Sequence, residues 1–435
     1  MKIPPVKGTR DFYPQDMAVR NWIIDGWKKV SVRNGFEEYD GPIFEYLDMY
    51  RIKSGDEIVQ QLFSLTDRGG RELAIRPEIT PTLARMVNQQ INSLPKPIKW
   101  FSVPRLCRAE RPQKGRLREF FQWNIDIIGV DDVLADAEVI FTTVDYLQNV
   151  GLTPKDIVVK ISSRKMLAAA LQAIGIAESE LELLYAVLDK RSRVTDDAFT
   201  EMLAEKIVDA DKRKKILKLM AVESIEQISG LVELSENAKK SVNELNRLFE
   251  LLNIMGVADF CEFDIGIVRG LAYYTGIVFE IYDKVGELRA IGGGGRYDNL
   301  LKQFGGPNIP ATGCGIGDCV LGILLEEKGL LKPPKQQLDY FVAFADEQFF
   351  QNALEIATKL RRLGFACDFN YKFTNLGKQL KQASDKNAKM CVIIGEEIKN
   401  NQLVIKDMTT GKQELIKVDE FFANLKFIRR GGPQG

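Results

Sequence analysis

The chain has 435 residues, of which 45% are apolar and 28% charged, as in ordinary globular proteins, and this length predicts about three domains. Its 60 basic and 60 acidic side chains cancel, which argues against nucleic-acid binding over the whole surface but allows a local basic face, and the absence of histidine excludes Ser–His–Asp, Cys–His and histidine-ligated zinc mechanisms. With no long apolar run, no signal core and six scattered cysteines without a CxxC pair, we expect a cytoplasmic protein with reduced thiols.

Residues 1–155 favour a mixed α/β region. Apolar positions at helical spacing, among them Trp22, Trp27 and Val30, predict an amphipathic helix near the amino terminus. The predicted helices cover residues 17–35, 80–91 and 135–150, and the predicted strands cover 35–44, 73–78, 97–103 and 123–129.

A basic stretch lies between the last two of these strands. It runs Arg108-Ala-Glu-Arg-Pro-Gln-Lys-Gly-Arg-Leu-Arg-Glu-Phe-Phe-Gln122 and holds four arginines and one lysine. Arginine forms bidentate bonds to phosphate and stays charged at any working pH. The stretch therefore predicts a strand–loop–strand platform for a polyphosphate, and a solvated basic hairpin is the alternative.

The composition changes after residue 155. From 156 to 260, one predicted strand (157–161) is followed by helical periods over 178–188, 196–205 and 236–252, which predict a helical insertion. The β pattern returns over 261–330, with predicted strands near 260–264 and 276–282 and a strand and helix of small residues over 311–328. Residues 331–337 form a Pro-rich linker, and 338–435 alternate strand and helix as in a compact α/β domain.

Four segments of the chain resemble the histidyl-tRNA synthetases, a family of class II aminoacyl-tRNA synthetases. They are Lys7–Pro14 with Gly35–Glu45, Arg76–Thr80, the basic stretch 108–122, and Val268–Thr275 followed by Gly292–Tyr297. The Arg-Gly-Leu-x-Tyr-Tyr and Gly-Gly-Arg-Tyr-Asp elements are the part specific to histidine. The resemblance implies an α+β fold: an antiparallel-sheet catalytic domain (1–155 and 261–330), a helical insertion (156–260) and a carboxy-terminal α/β anticodon-binding domain (338–435).

The resemblance also implies the reaction and its partners. L-Histidine and ATP with Mg²⁺ would give histidyl-adenylate and pyrophosphate, and histidine would then pass to the 3′ end of its tRNA. Because the first step joins two anions, positioning and charge neutralisation are the main tasks of such a site. The family further implies a homodimer, with Pro42 and its neighbours near the interface.

Matching positions suggest an ATP site built largely on arginine. Arg108 matches the residue that holds the α-phosphate and the substrate carboxylate, and Glu110 matches the one that reads the adenine amino group. Arg116 matches a γ-phosphate contact, Phe120 the ring on which adenine stacks, and Arg269 a catalytic arginine at the α-phosphate. No protein ligand for a metal is assigned.

Other matching positions suggest a histidine pocket. Glu78, Thr80 and Gln122 match the side that receives the α-amino group. Asp126 and Tyr274 match the imidazole side, with Tyr273 and Tyr297 lining the pocket and Arg108 and Arg269 near the carboxylate. A neutral imidazole has one donor and one acceptor nitrogen, so a carboxylate and a hydroxyl together would recognise both.

Three further features bear on this interpretation. Gln113, Lys114 and Arg118 are candidate contacts for the acceptor end of the tRNA. The glycine run from 292 to 295 lacks the Lys-Ser/Thr ending of a P-loop, so we interpret it as close backbone packing. Family members commonly carry Gly-x-Glu-Arg near the end of the catalytic domain, whereas Val320 stands at the arginine position here.

Two other functions stay open at the level of sequence. A catalytically silent paralogue acting as a regulatory subunit would resemble the catalytic domain but lack the carboxy-terminal α/β domain, which this chain has. A non-enzymatic sensor of tRNA or histidine is favoured only by Val320.

Overall fold

The computed structural model describes residues 3–54, 62–191, 194–231, 235–268, 274–285, 288–334 and 337–430. The chain divides into two compact units, Met1–Lys332 and Pro333–Gly435. Among the described residues, no helix is both long enough and apolar enough to cross a membrane.

The first unit combines helices with a large sheet. Its helices are α1 (Pro14–Arg33), α2 (Leu47–Ser54), α3 (Thr80–Gln90), α4 (Leu134–Asn149), α5 (Arg164–Ile174), α6 (Leu181–Leu188), α7 (Asp196–Lys206), α8 (Ala210–Leu219), α9 (Ile225–Leu231), α10 (Glu236–Ile254), α11 (Leu300–Gln303) and α12 (Asp318–Glu327). Its strands are β1 (Glu37–Glu38), β2 (Phe44–Tyr46), β3 (Phe63–Thr66), β4 (Glu72–Ile75), β5 (Ile98–Ser102), β6 (Arg105–Cys107), β7 (Glu119–Ile128), β8 (Ile157–Ser163), β9 (Cys261–Phe263), β10 (Ile277–Asp283), β11 (Gly292–Arg296) and β12 (Ala311–Gly317).

The main sheet is mostly antiparallel. Its strand order is β1–β5–β7–β12–β11–β10–β8–β9, with β6 paired to the start of β7. Only the pairs β1–β5 and β8–β9 are parallel among these described strands. A smaller sheet has the order β2–β4–β3. This arrangement confirms the prediction of an antiparallel-sheet α+β fold.

Aromatic side chains join α1 and α4 to the sheet. The rings of Trp27 and Trp123 are stacked with centroids 6.2 Å apart, and Tyr146 lies 5.5 Å from Trp123. The Trp123 indole N–H donates to the Ser31 hydroxyl at 2.8 Å, so the one polar atom of this buried ring is satisfied. The β7 strand, which also carries candidate site residues, is therefore anchored to a fixed layer of helices.

Helices α5 to α10 continue the same hydrophobic core. Leu171, Leu184 and Leu248 are buried in one cluster with residues of the sheet, such as Ile161 on β8. Because β8 is itself a strand of the main sheet, the helical region packs on the sheet and is not a separate body joined only by a linker. A domain boundary at residues 156 and 260 stays a prediction.

The second unit is a five-stranded α/β structure over its described residues. It contains β13 (Tyr340–Phe344), α13 (Phe350–Arg362), β14 (Cys367–Phe369), α14 (Leu376–Asp385), β15 (Met390–Ile394), β16 (Gln402–Asp407), β17 (Gln413–Lys417) and α15 (Val418–Arg430). The sheet order is β14–β13–β15–β16–β17, and β13 is parallel to both of its neighbours. The alternation of strands and helices was predicted, whereas α15 was not.

Two local predictions were wrong. The predicted strand over 35–44 is shorter: Glu37–Glu38 form β1, the Tyr39 N–H still donates to the Phe101 carbonyl at 2.9 Å, and Pro42 has no N–H to continue a ladder towards Phe44. The basic stretch was expected to be a loop as far as residue 122, but β7 already begins at Glu119 and pairs with β6. The loop proper is therefore shorter and lies on a rigid hairpin.

Candidate active site

A cleft of about 620 Å³ in the first unit brings the predicted site residues together. The predicted residues that line it are Glu78, Thr80, Arg108, Glu110, Arg116, Phe120, Gln122, Asp126, Tyr274 and Tyr297. They come from distant parts of the sequence and meet because β7, β11 and β12 are neighbours in the sheet. Arg269 and Tyr273 lie outside the described residues.

The β6–β7 hairpin carries the arginine side of the cleft. Arg108 follows β6, and its guanidinium carbon lies 5.0 Å from the centre of the Phe120 ring on β7. Its Nε donates to the Pro77 carbonyl at 3.1 Å. Stacking and the hydrogen bond together hold the guanidinium in one orientation.

Charged side chains also meet across this hairpin. Arg116 forms an ion pair with Glu110, and the Arg118 Nε donates to the Glu110 carbonyl at 3.1 Å. The Arg118 backbone N–H donates to the Gly8 carbonyl at 2.8 Å, so the amino-terminal segment lies against the hairpin. The loop is therefore fixed on both sides.

The three predicted tRNA contacts lie outside the cleft. Gln113 exchanges backbone hydrogen bonds of 2.9 Å with Arg116 at the tip of the loop. The Lys114 ammonium lies 3.1 Å from Glu327 at the end of α12. Together with Arg118, these residues are absent from the described lining of the cleft, and their contact with tRNA stays a prediction.

A buried carboxylate marks the other end of the cleft. Asp126 is only 3% exposed and accepts a hydrogen bond from the Tyr297 hydroxyl. Its partner across the β7–β12 ladder is Gly313, where a Cβ atom would lie 2.1 Å from the Asp126 Oδ1. Any other residue at 313 would displace this carboxylate. Burial, and next the Asp126 charge, raise the pKa of the nearby Tyr39 well above its usual value.

The strand β7 presents a row of polar side chains to the same cleft. Gln122, Asn124 and Asp126 all line it, since alternate residues of a strand face the same side. Asn124 was missed by the sequence reasoning, although its place between two predicted residues at a period of two is a usable signal. The row offers amide and carboxylate groups to a small polar ligand.

The predicted glycine run is strand β11. Its backbone pairs with β10 on one side and with β12 on the other, which fits the interpretation as close backbone packing. At its end, the Arg296 Nε donates to Asp136 on α4 at 2.9 Å, and both side chains are buried. Tyr297, the next residue, lies in the cleft, so this buried ion pair fixes the backbone beside it.

Val320 stands where an arginine is common in the family that the chain resembles. It lies in the first turn of α12 and lines the cleft. A Cβ atom on Gly115, at the tip of the basic loop, would be 2.9 Å from the Val320 Cγ2. Helix α12 therefore contributes an apolar contact to the loop here, and not a cation.

Comparisons with known proteins cover nearly the whole chain. A sequence family described as Histidyl-tRNA synthetase matches residues 8–317, and one described as Anticodon binding domain matches residues 330–428. The chain is 41% identical to the histidine–tRNA ligase of Opitutus terrae over 408 residues, which covers 93% of each protein. It is 38% identical to the chloroplastic/mitochondrial histidine–tRNA ligase of Arabidopsis thaliana, covering 96% of this chain and 86% of the relative.

A solved structure supports the same fold. The histidyl-tRNA synthetase of Nostoc sp. PCC 7120 superposes with a TM-score of 0.79 at 23% identity, covering 99% of each chain. At this identity the likeness concerns the fold alone, and both of its parts, the catalytic sheet and the smaller α/β unit, find a counterpart.

Proposed function

The chain belongs to the histidyl-tRNA synthetase family, whose members join histidine to tRNA, and on that premise we propose that its large cleft activates histidine with ATP. The observation that carries the proposal is the meeting of arginines and buried polar groups in one cleft. The alternative of a silent regulatory paralogue is not favoured, because the curated relatives are named as histidine–tRNA ligases and match this chain over most of their length.

The arginine end of the cleft suits ATP. The histidine carboxylate attacks the α-phosphorus, the bond to the bridging oxygen breaks, and pyrophosphate leaves. Arg108 would hold the α-phosphate and the attacking carboxylate close together, because a fixed guanidinium offsets the repulsion between two anions. Phe120 offers its ring to adenine and Glu110 accepts from the adenine amino group. Arg116 would leave its ion pair with Glu110 for the γ-phosphate, and ATP would enter as its magnesium complex.

The opposite end of the cleft suits histidine. Glu78, Thr80 and Gln122 would receive the α-amino group. Asp126 would accept from one imidazole nitrogen, while Tyr274 contacts the other and Tyr297 keeps the carboxylate in place. A buried site with such groups rejects amino acids that leave them unpaired, because an unpaired buried polar group costs binding free energy. Selectivity therefore comes from this penalty as well as from the contacts made with histidine. Arg269 and Tyr273 are proposed members of the site on the resemblance alone.

The second unit and the basic loop suit the tRNA. The anticodon-binding family matches residues 330–428. Gln113 and Lys114 are exposed on a loop beside the cleft, and Arg118 is half-buried at its base. We assign the anticodon to the second unit and the acceptor end to the loop, so that the 3′ hydroxyl reaches the adenylate. Cytoplasmic location belongs to the same proposal.

A second copy of the chain is the proposed partner of the small β2–β4–β3 sheet. Its surface exposes large apolar side chains next to Pro42: Ile43 (53% exposed), Phe44 (52%) and Tyr46 (58%). Contiguous apolar surface of this kind is typical of an interface. We expect a dimer in analytical ultracentrifugation and a monomer for Tyr46→Glu; a monomeric native chain would refute this assignment.

Histidine-dependent ATP–pyrophosphate exchange tests the activation step. Purified protein with Mg²⁺ should incorporate labelled pyrophosphate into ATP only when L-histidine is added, and it should then charge histidine tRNA. Other amino acids serve as controls for specificity. No exchange with histidine from a folded protein would exclude the proposal.

A further inference from the structure

Among the described residues, Val320 leaves the phosphate end of the cleft without the arginine that the family resemblance suggests at that position. A triphosphate carries several negative charges at neutral pH, and the apolar Val320 side chain offsets none of them. Two carboxylates, Asp189 and Glu280, also line this end, and they would repel a phosphate. Another cation is therefore expected nearby.

Among the described residues, Arg289 is the one cation besides Arg108 and Arg116 that lines both the cleft and the groove next to it, which measures about 990 Å³. Arg108, Arg116 and Val320 line both spaces as well, whereas Asp126 and Tyr297 line only the first. Arg289 is thus placed with the phosphate-binding arginines and away from the histidine pocket.

Sheet register explains why Arg289 and Val320 belong to the same end of the sheet. Strands β11 and β12 are antiparallel, and Gly292 pairs with Ile316. The Gly317 N–H also approaches the Ile291 carbonyl at 3.4 Å. Arg289 therefore precedes β11 at the same end of the sheet at which β12 runs into α12 and Val320.

We propose that Arg289 binds the β- and γ-phosphates of ATP and takes over the role of the arginine absent at position 320. The inference rests on the proposed function, since it concerns the same ATP site. An arginine here can form bidentate bonds to two phosphate oxygens and stabilise the pyrophosphate that leaves. Its position in the segment just before β11 supplies the charge that α12 does not supply.

Kinetics of pyrophosphate exchange test the assignment. Arg289→Gln should raise KM for ATP and KM for pyrophosphate by about ten- to hundredfold, because a charge-assisted hydrogen bond is lost, and should leave KM for histidine within about twofold. Arg289→Lys, which keeps the charge but not the bidentate geometry, should fall between. Arg247→Gln is the matched control, since Arg247 is an exposed arginine on α10 that pairs with Glu250; it should behave as the native protein.

A rescue experiment separates a phosphate contact from a structural effect. Adding Val320→Arg to Arg289→Gln should recover part of the lost affinity for pyrophosphate, whereas Val320→Met should not. Equilibrium binding should show that Arg289→Gln weakens ATP more than AMP, because AMP lacks the β- and γ-phosphates.

Each contrary result has one meaning. Unchanged KM values for ATP and pyrophosphate in Arg289→Gln, with an active native enzyme, would overturn the inference and leave the proposed function intact. A defect confined to tRNA charging would overturn it in favour of a tRNA-phosphate contact. Failure of the native protein in histidine-dependent exchange would instead reject the proposed function.

Discussion

Arg10 and Asp318 form an ion pair that joins the amino-terminal segment to the first residue of α12. The Arg10 Nη2 lies 2.6 Å from the Asp318 Oδ2, and Asp318 is only 6% exposed. The other carboxylate oxygen accepts the Phe121 backbone N–H at 2.9 Å. The β7–β12 ladder ends at Gln122 and Gly317. The bond from Phe121 to Asp318 therefore fixes β7 one residue beyond the ladder, next to Phe120.

We predict that this pair positions the ATP-binding hairpin. Asp318→Ala removes both contacts and should raise KM for ATP by about tenfold, because the hairpin would then hold its ATP-binding groups less accurately. KM for histidine should change little. Arg10→Met should have a smaller effect, since it leaves the bond to Phe121. Exchange kinetics at varied ATP and varied histidine measure the two effects separately.

The control for this prediction is a second ion pair of the same unit. Arg33 on α1 binds Asp145 through two hydrogen bonds of 2.6 and 2.9 Å, both on the surface. Arg33→Met should leave both KM values unchanged. Equal effects of Asp318→Ala on the two substrates would show general loosening of the domain rather than positioning of the hairpin.

A second prediction concerns recognition of histidine by Asp126 and Tyr297. Asp126→Asn should raise KM for histidine by about a hundredfold, because a site that leaves a buried polar group of its ligand unpaired loses most of its affinity. Tyr297→Phe should raise KM for histidine by about tenfold, because it removes only the hydrogen bond that orients the Asp126 carboxylate. KM for ATP should stay near the native value in both variants.

Tyr146→Phe is the matched control for Tyr297→Phe. The Tyr146 hydroxyl is buried in the core, and it has no hydrogen-bond partner within the described part of the chain. Its removal should not alter exchange. If Asp126→Asn kept the native affinity for histidine, the imidazole would have to bind elsewhere in the cleft.

The sequence predicted the fold well where a strand or helix is decided by its own residues. Strands β13 and β15 match their predicted bounds, 340–344 and 390–394, because both are short apolar runs with aromatic or β-branched residues, which favour a strand over a helix. The sequence-based prediction failed where pairing with another strand sets the bounds. Strand β7 begins earlier than predicted because β6 pairs with it, and that pairing is not visible in either segment alone.

The candidate site shows the same division. Residues inside recognisable motifs, such as Arg108, Glu110 and Asp126, were predicted and line one cleft. Arg289 was missed because nothing in its own surroundings marks it. Its relevance depends on the register of β11 against β12, which brings the segment before β11 to the end of the sheet where α12 begins.

A third prediction concerns the buried ion pair between Asp136 and Arg296. Asp136→Asn should lower the free energy of unfolding of the first unit by roughly 3 kcal/mol, because it removes the nearer of the two carboxylates, Asp136 and Asp298, that neutralise the buried Arg296 guanidinium. All four tryptophans lie in the first unit, so their fluorescence during urea unfolding reports on that unit alone. Glu250→Gln, in the exposed pair with Arg247, should cost less than about 1 kcal/mol. A similar small loss for Asp136→Asn would show that the buried pair is dispensable.

The last prediction concerns Cys319, a thiol that lines the cleft between Asp318 and Val320. Burial, and next the charge of Asp318, raise its pKa to about 12. A raised pKa keeps the thiol protonated, and only the thiolate reacts with iodoacetamide. At pH 8 the thiolate fraction of Cys319 is therefore about a thousandfold below that of a free cysteine, and labelling should be slow to the same degree.

The labelling rate of Cys319 should rise about tenfold per pH unit as far as the native fold persists. Asp318→Asn should speed the labelling by removing the adjacent negative charge. Mass spectrometry of peptides labelled for timed intervals, with urea-unfolded protein as the reference, measures these rates; labelling of the folded protein at the reference rate would show that the thiol is neither buried nor held neutral.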